Sequence, residues 1–264
     1  TYRWTRELPM TVRAMVLGWQ LHVQEPKADP LARSEGHFDF AAMVPLQLTK
    51  SLERLHRLRS LIVGGAPIPA GTLAALPADK TTIWQTYGMT ETCSHIALRK
   101  LGPVPAGADP EEVLPPFQVL EGIEVSQDER GCLVVRAPGL LKEVLTTNDL
   151  VRMESDRTFR WLGRMDRVVN SGGVKLHPEV LEARLGSLVP GRFFLAGLSD
   201  PELGEKLTLV VEGTPDTKKL REAILASGVL DAYEVPKEIL PTPSFEQADS
   251  GKVDRRATLA KIQS

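Results

Sequence analysis

Residues 58–69 read LRSLIVGGAPIP, and no other stretch restricts the fold as much. A short apolar run that stops at two glycines and two closely spaced prolines is the pattern of a buried strand ended by a tight turn. The sequence upstream alternates in period. TVRAMVLGW (11–19) predicts a helix, QLHVQE (20–25) an extended segment, and FAAMVPLQLTKSLE (40–53) a helix broken by its proline. Alternation of this kind predicts an α/β layered domain.

After Gly102 the pattern changes to short strands separated by turn residues. In GIEVSQDERGCLVVRAP, Asp128–Gly131 separate two alternating runs as the tip of a hairpin does. A β-rich subdomain closing the first domain is expected here. From about Gly163 a second unit begins. RVVNSGGVKLHPEVLEARL predicts a strand, a glycine turn and a helix with Pro178 at its first position. RFFLAGL and KLTLVVEG predict strands around the loop SDPELGE, DTKKLREAILASG a helix, and EVPKEILP a closing extended segment. The expected class is therefore α/β plus α+β: residues 1–163 as the C-terminal portion of a large layered domain, and residues 164–264 as a small α+β lid domain with a hinge near 164–167.

The chain has 264 residues, 42% of them hydrophobic, enough for one large core or two smaller ones. Its net charge of -2 gives no electrostatic case for nucleic acid or an anionic membrane. Cys93 and Cys132 form no CxxC pair, and the five histidines make no HxxxH or HExxH spacing. No structural metal site is expected, and a reducing, cytoplasmic setting is. The apolar stretch MTVRAMVLGWQLHV is interrupted by Arg13 and is too short to span a bilayer. The sequence is silent on oligomeric state.

Four stretches carry candidate chemistry: GGAPIP (64–69), QTYGMTETCSHIALR (85–99), TNDL (147–150) with WLGRMDRVVNSGGVKLHPEVLE (161–182), and SGK (250–252). Each alone is a common turn or helix start, and their order is what matters. Together they resemble the acyl-adenylate-forming (AMP-binding) superfamily, and within it most resemble the o-succinylbenzoate-CoA ligase branch of menaquinone biosynthesis. The resemblance runs from GGAP to the C-terminus. It implies an AMP-forming acid-CoA ligase that uses ATP, Mg2+ and coenzyme A, making first an acyl-AMP and then a thioester. The alternatives are an inactive or weakly nucleotide-binding fragment of such an enzyme, or a ligase for another aromatic or fatty acid.

The resemblance assigns roles, and chemistry supplies a reason for each. Gly64, Gly65, Ala66 and Pro67 form one side of an adenine slot and Tyr87 the other; glycine lets main chain approach the base. Thr90 offers a hydroxyl to a phosphate oxygen, and Glu91 a hard carboxylate to Mg2+. The plain alternative is that Thr90 or Thr92 caps a helix over SHIALRK. Asp149 would accept from the ribose hydroxyls and Arg164 would add donors; a surface turn and an interdomain ion pair are their plain readings. The family's Thr-Gly-Asp is Thr147-Asn148-Asp149 here, and asparagine tolerates the same left-handed turn. Asp166 takes the hinge position, Gly172 and Gly173 give the pantetheine arm room, and Ser94 and His95 face the acyl group. Arg99 reads as a helix-end charge.

Lys252 corresponds to the family's mobile lysine, which reaches the substrate carboxylate and α-phosphate in the first half-reaction. A unit charge about 4 Å away at an effective dielectric near 20 is worth roughly 4 kcal/mol. The family's Ser/Thr/Gly-rich phosphate loop, expected upstream of GGAP, has no counterpart in residues 1–63, and the chain opens on Thr1. The resemblance therefore implies a chain truncated at its N-terminus relative to the parent enzyme, with strand edges and apolar faces such as SLIVGG left uncovered.

Overall fold

The computed structural model describes residues 3–23, 27–32, 34–78, 80–105, 108–248 and 253–263, with side chains from residue 10 onward. Two sheets organise the chain. Nine strands form the larger, in the order β1-β2-β3-β4-β5-β9-β8-β7-β6. Its first three, β1 (Phe38–Met43), β2 (Leu58–Val63) and β3 (Thr82–Gly88), are mutually parallel, linked by α2 (Pro45–Ser51) and α3 (Ala70–Ala74). The rest are antiparallel: β4 (His95–Leu101), β5 (Phe117–Val119) after α4 (Pro110–Val113), the hairpin β6 (Glu124–Gln127) and β7 (Cys132–Arg136), and the long pair β8 (Leu145–Ser155) and β9 (Thr158–Arg164). Helix α1 (Arg3–Leu17) precedes them all.

The smaller sheet has five strands: the hairpin β10 (Val169–Ser171) and β11 (Val174–Leu176), the pair β12 (Phe193–Asp200) and β13 (Gly204–Glu212), and β14 (Glu238–Thr242), parallel to β13. Its helices are α5 (Pro178–Leu185), α6 (Thr217–Ser227) and α7 (Arg255–Gln263). The chain is thus an α/β layered sheet with a β-rich extension, followed by a small α+β unit.

Each unit buries its own apolar residues. Leu48, Leu55, Leu61, Val63 and Ile83 gather around the parallel strands, Ile96, Phe117, Leu133 and Phe159 around the antiparallel ones, and Leu185, Leu195, Leu207 and Leu209 in the small unit. β2 lies between β1 and β3, and its last three residues, Leu61–Val63, are all apolar as in a strand covered on both sides. The expectation that SLIVGG would be uncovered is therefore wrong: Leu61 and Val63 are fully buried. Exposed large apolar side chains concentrate earlier instead, with Val12, Met15, Val16, Leu17, Trp19, Leu21 and Val23 in one run, and the others scattered along the chain.

Four local expectations also change. FAAM forms the last four residues of β1 and the helix begins only at Pro45, because pairing with β2 outweighs local helix preference and Pro45 suits a first turn. SHIALRK is no helix: His95 to Leu101 form β4, hydrogen-bonded to β3 along its length. Residues 20–23 form no strand, although Trp19 and His22 lie against Phe40 and Phe38 of β1 at 5.4 and 5.3 Å. Beyond the closing extended segment, β14, the chain adds α7, whose Thr258 is buried and donates to Asp254 O at 2.7 Å.

Candidate functional site

Several of the candidate residues lie where the parallel strands end and the sheet turns antiparallel, the place where open α/β sheets hold ligands. Gly64 follows β2, and its amide donates to Met43 O at 3.2 Å. A β-carbon on Gly64 would lie 2.0 Å from Thr86 Oγ1, so a side chain there would have to displace that hydroxyl. Gly65 has φ +91, which only glycine adopts freely, and Gly65, Ala66 and Pro67 are exposed. The segment is an open backbone edge beside Thr86 of β3.

Tyr87, expected on the other side of the adenine slot, is a largely buried residue of β3. The side chain is 9% exposed, its ring packing on Phe159 at 5.1 Å and Phe117 at 5.8 Å, and its hydroxyl donates to Asp149 Oδ2 at 2.6 Å. Burial, then the Asp149 charge, pushes the phenol pKa far up, so it remains a donor. Asp149 sits on β8 opposite Arg164 of β9, whose Nη1 is 3.9 Å from Asp149 Oδ1. The same guanidinium grips Asp166 through Nε at 2.9 Å and Nη2 at 3.0 Å, which holds the Asp166 carboxyl below its ordinary range. One arginine therefore touches both the candidate ribose carboxylate and the candidate hinge residue.

The β3–β4 connection carries the next group. Thr90–Thr92 make a single 3-10 turn rather than the start of a helix. Thr92, 1% exposed, closes it: its hydroxyl accepts from Met89 N at 3.1 Å and lies 3.0 Å from Met89 O and 2.8 Å from Ser94 O. Thr90 and Glu91 point outward and are exposed. Among the described residues Glu91 has no ion-pair partner, a free hard carboxylate of the type a magnesium ion takes. Among the same residues, no group of three His, Cys, Asp or Glu side chains could hold a metal.

Ser94 and His95 follow, beside Gly88, whose missing β-carbon would fall 2.5 Å from His95 Cα. The sequence reading missed what lies on them. Arg13 of α1 reaches Ser94 Oγ at 3.4 Å and His95 Nδ1 at 3.5 Å, with no carboxylate partner among the described residues. Burial, then the Arg13 charge, lowers the His95 pKa and keeps the ring neutral. The signal was present in the sequence, as the one charge interrupting an apolar helical run.

The remaining candidates stand apart. Gly172 (φ +60) and Gly173 (φ +85) form the two-residue turn between β10 and β11, and Gly172 N donates to Leu203 O at 2.9 Å rather than approaching the Tyr87–Asp149 pair. Lys252 lies outside the described residues; the flanking chain is joined by a Gln247–Val253 bridge. Arg99 is no helix-end charge. It is a strand residue, 5% exposed, paired in two-pronged fashion with Glu111 at 2.7 Å, donating to Gln85 at 2.8 Å and lying 4.4 Å from the Phe117 ring centre.

A family model described as AMP-binding enzyme matches residues 11–145, just over half of the chain. The chain belongs to the AMP-binding enzyme family. It is 28% identical over 238 residues to a probable 2-succinylbenzoate–CoA ligase of Mycobacterium tuberculosis, an alignment covering 84% of this chain and 61% of that protein. This AMP-binding chain thus spans a little under two thirds of that relative. Among solved structures it is similar to an acyl-CoA synthetase (AMP-forming)/AMP-acid ligase II-like protein of Dyadobacter fermentans, with 36% identity, TM-score 0.53, and coverage of 98% of this chain and 75% of the other. The o-succinylbenzoate CoA synthetase of Bacillus subtilis, solved with its acyl-adenylate intermediate, shares the fold with TM-score 0.75 at 22% identity, over 95% of this chain and 57% of that one. Among the described residues no helix is long and apolar enough to cross a membrane.

Proposed function

We propose that this chain provides the adenylate- and acid-binding part of an AMP-forming acid-CoA ligase whose acid is o-succinylbenzoate. The observation that carries the substrate is Arg13 standing over Ser94 and neutral His95. A guanidinium with no carboxylate partner among the described residues, beside two neutral polar groups, suits an acid that keeps a second carboxylate after the first is activated. o-Succinylbenzoate is such an acid, since its ring carboxylate remains when the side-chain carboxylate is adenylated.

ATP fits the residues present. The Gly64–Pro67 edge offers main chain to the base, Asp149 accepts from the ribose hydroxyls with Tyr87 and Arg164 fixing its two oxygens, Thr90 donates to a phosphate oxygen, and Glu91 is the ligand for magnesium. That ion would supply charge neutralisation on the phosphates. Lys252 adds positive charge where two anions must approach. Residues 1–163 would form the large domain and 164–264 a lid turning at Asp166, so that the Gly172–Gly173 turn serves coenzyme A in the second half-reaction, in a cytoplasmic enzyme.

Calorimetry with two non-hydrolysable acyl-adenylate analogues tests the reading, one bearing the o-succinylbenzoyl group and one lacking its ring carboxylate. The full analogue is expected to bind at least tenfold tighter, and Arg13→Met to erase the difference. Equal affinity in the native chain would refute the substrate, and failure to bind either would refute the adenylate site.

A further inference from the structure

Helix α5 is the element through which the small sheet meets the large one. Its first turn lies on β9, where Glu179 Oε2 would be only 2.7 Å from a β-carbon on Gly163. Just past its last turn, a β-carbon on Gly186 would sit 3.3 Å from Ala70 N. Between them Arg184 reaches Asp109 Oδ2 through Nη2 at 3.1 Å and Nε at 3.3 Å, while its Nη1 holds Glu234 of the small unit at 3.0 Å. Asp109 is itself fixed, because its Oδ1 caps α4 by accepting from Glu111 N at 2.9 Å. Glu111 in turn is locked to buried Arg99. The latch point on the large sheet is therefore rigid.

The surface around this contact is not built like a permanent one. Among the described residues, three buried side-chain polar atoms have no hydrogen-bond partner: Trp161 Nε1 on β9, and His177 Nδ1 and Glu179 Oε2 where α5 begins. All three lie on the two segments that meet at this junction. A buried polar group that gains no partner has lost its water for nothing, so native interiors contain few. Their concentration at one junction fits an interface that separates and lets them regain water. A cleft of about 290 Å³ already reaches between α4 and the α5–β11 side, lined by Asp109, Glu112, Leu162, His177 and Arg184 among others.

We propose that Arg184 is a releasable latch: its pairing with Asp109 holds the small unit in the arrangement seen here, and breaking that one pair frees α5 from the large sheet. Arg184 is a positioning residue that touches no substrate. The inference rests on the two-unit reading above but on neither the substrate nor the activity. In the arrangement seen, the Gly172–Gly173 turn is exposed, so release is what permits it to be redirected.

Hydrogen exchange of the ligand-free chain, read by mass spectrometry, tests the latch. Asp109→Asn retains an acceptor for Glu111 N and so keeps the α4 cap, whereas Arg184→Met retains the apolar stem. Either is expected to speed exchange about tenfold in peptides covering 109–114 and 164–187, leaving β13 at 207–211 unchanged, and the double variant is expected to match the singles. Unchanged exchange at the junction, an equal rise in β13, or additive effects in the double variant would each overturn the proposal. Affinity for the acyl-adenylate analogues is read separately, so a wrong substrate and a wrong latch are distinguishable.

Discussion

The hydroxyl of Tyr87 on β3 donates to the carboxylate of Asp149 on β8 at 2.6 Å, although β4, β5 and β9 lie between these strands in the sheet order. The sheet curls enough for its parallel part to touch its antiparallel part, and the aromatic cluster of Tyr87, Phe117 and Phe159 fills the curl. The hydrogen bond fixes one carboxylate oxygen. Removing it with Tyr87→Phe is expected to weaken ATP binding about tenfold, in line with roughly 1.5 kcal/mol for a bond to a charged group. The loss should shrink with 2′,3′-dideoxy-ATP, which has no ribose hydroxyls for Asp149 to hold; titration of both nucleotides against both proteins checks this.

His95 should titrate below its ordinary 6.5. Burial and Arg13 both disfavour its charged form, so the stability gained from a neutral ring is complete above 6.5 and is lost as the pH falls from there through the lowered value. Arg13→Met removes one of the two causes, and the pKa is expected to rise part of the way back. Imidazole carbon shifts followed by NMR from pH 8 to pH 4 would show it; an unchanged midpoint would place Arg13 away from the ring.

Breaking the Arg99–Glu111 pair should be costly. Both side chains are buried, at 5% and 14% exposure, and removal of one leaves the other charge without compensation. Glu111→Gln is expected to cost about 3–5 kcal/mol, and replacing both residues with apolar ones much less. Urea unfolding of the single and double variants gives the comparison. A single variant as stable as the native chain would contradict the geometry.

Gly64→Ala is expected to abolish nucleotide binding while the chain still folds. The added carbon meets Thr86 Oγ1, which can be relieved by Thr86→Ala, so the double variant should recover part of the affinity. Calorimetry with ATP on the three proteins decides it, and no recovery would mean that the Gly64 backbone, rather than the crowding, is what the change disturbs.

The parts of the fold visible in the sequence were those set by local chemistry. The Leu58–Val63 strand, the Asp128–Gly131 hairpin tip, the Gly172–Gly173 turn and the Pro178 helix start each announce themselves through burial period or backbone tolerance. What could not be read depended on partners remote in sequence. Residues 95–101 look helical alone and become a strand because β3 lies alongside. Arg99 has the same cause, since its partners Gln85 and Glu111 identify it and its own position does not. Arg13 was visible as an anomaly but lacked a purpose until α1 was placed over Ser94 and His95.

The curl of the large sheet also determines where the chain can tolerate changes of length. Tyr87 and Asp149 meet only if every strand between them keeps its register, so a residue inserted within β4, β5 or β9 would displace one partner by a full pleat. Insertions at the exposed Asp128–Gly131 tip or around 139–144 leave that closure intact. A map of tolerated insertions across 95–164 would therefore trace the curled strands as its gaps, with the tolerated positions at the turns between them.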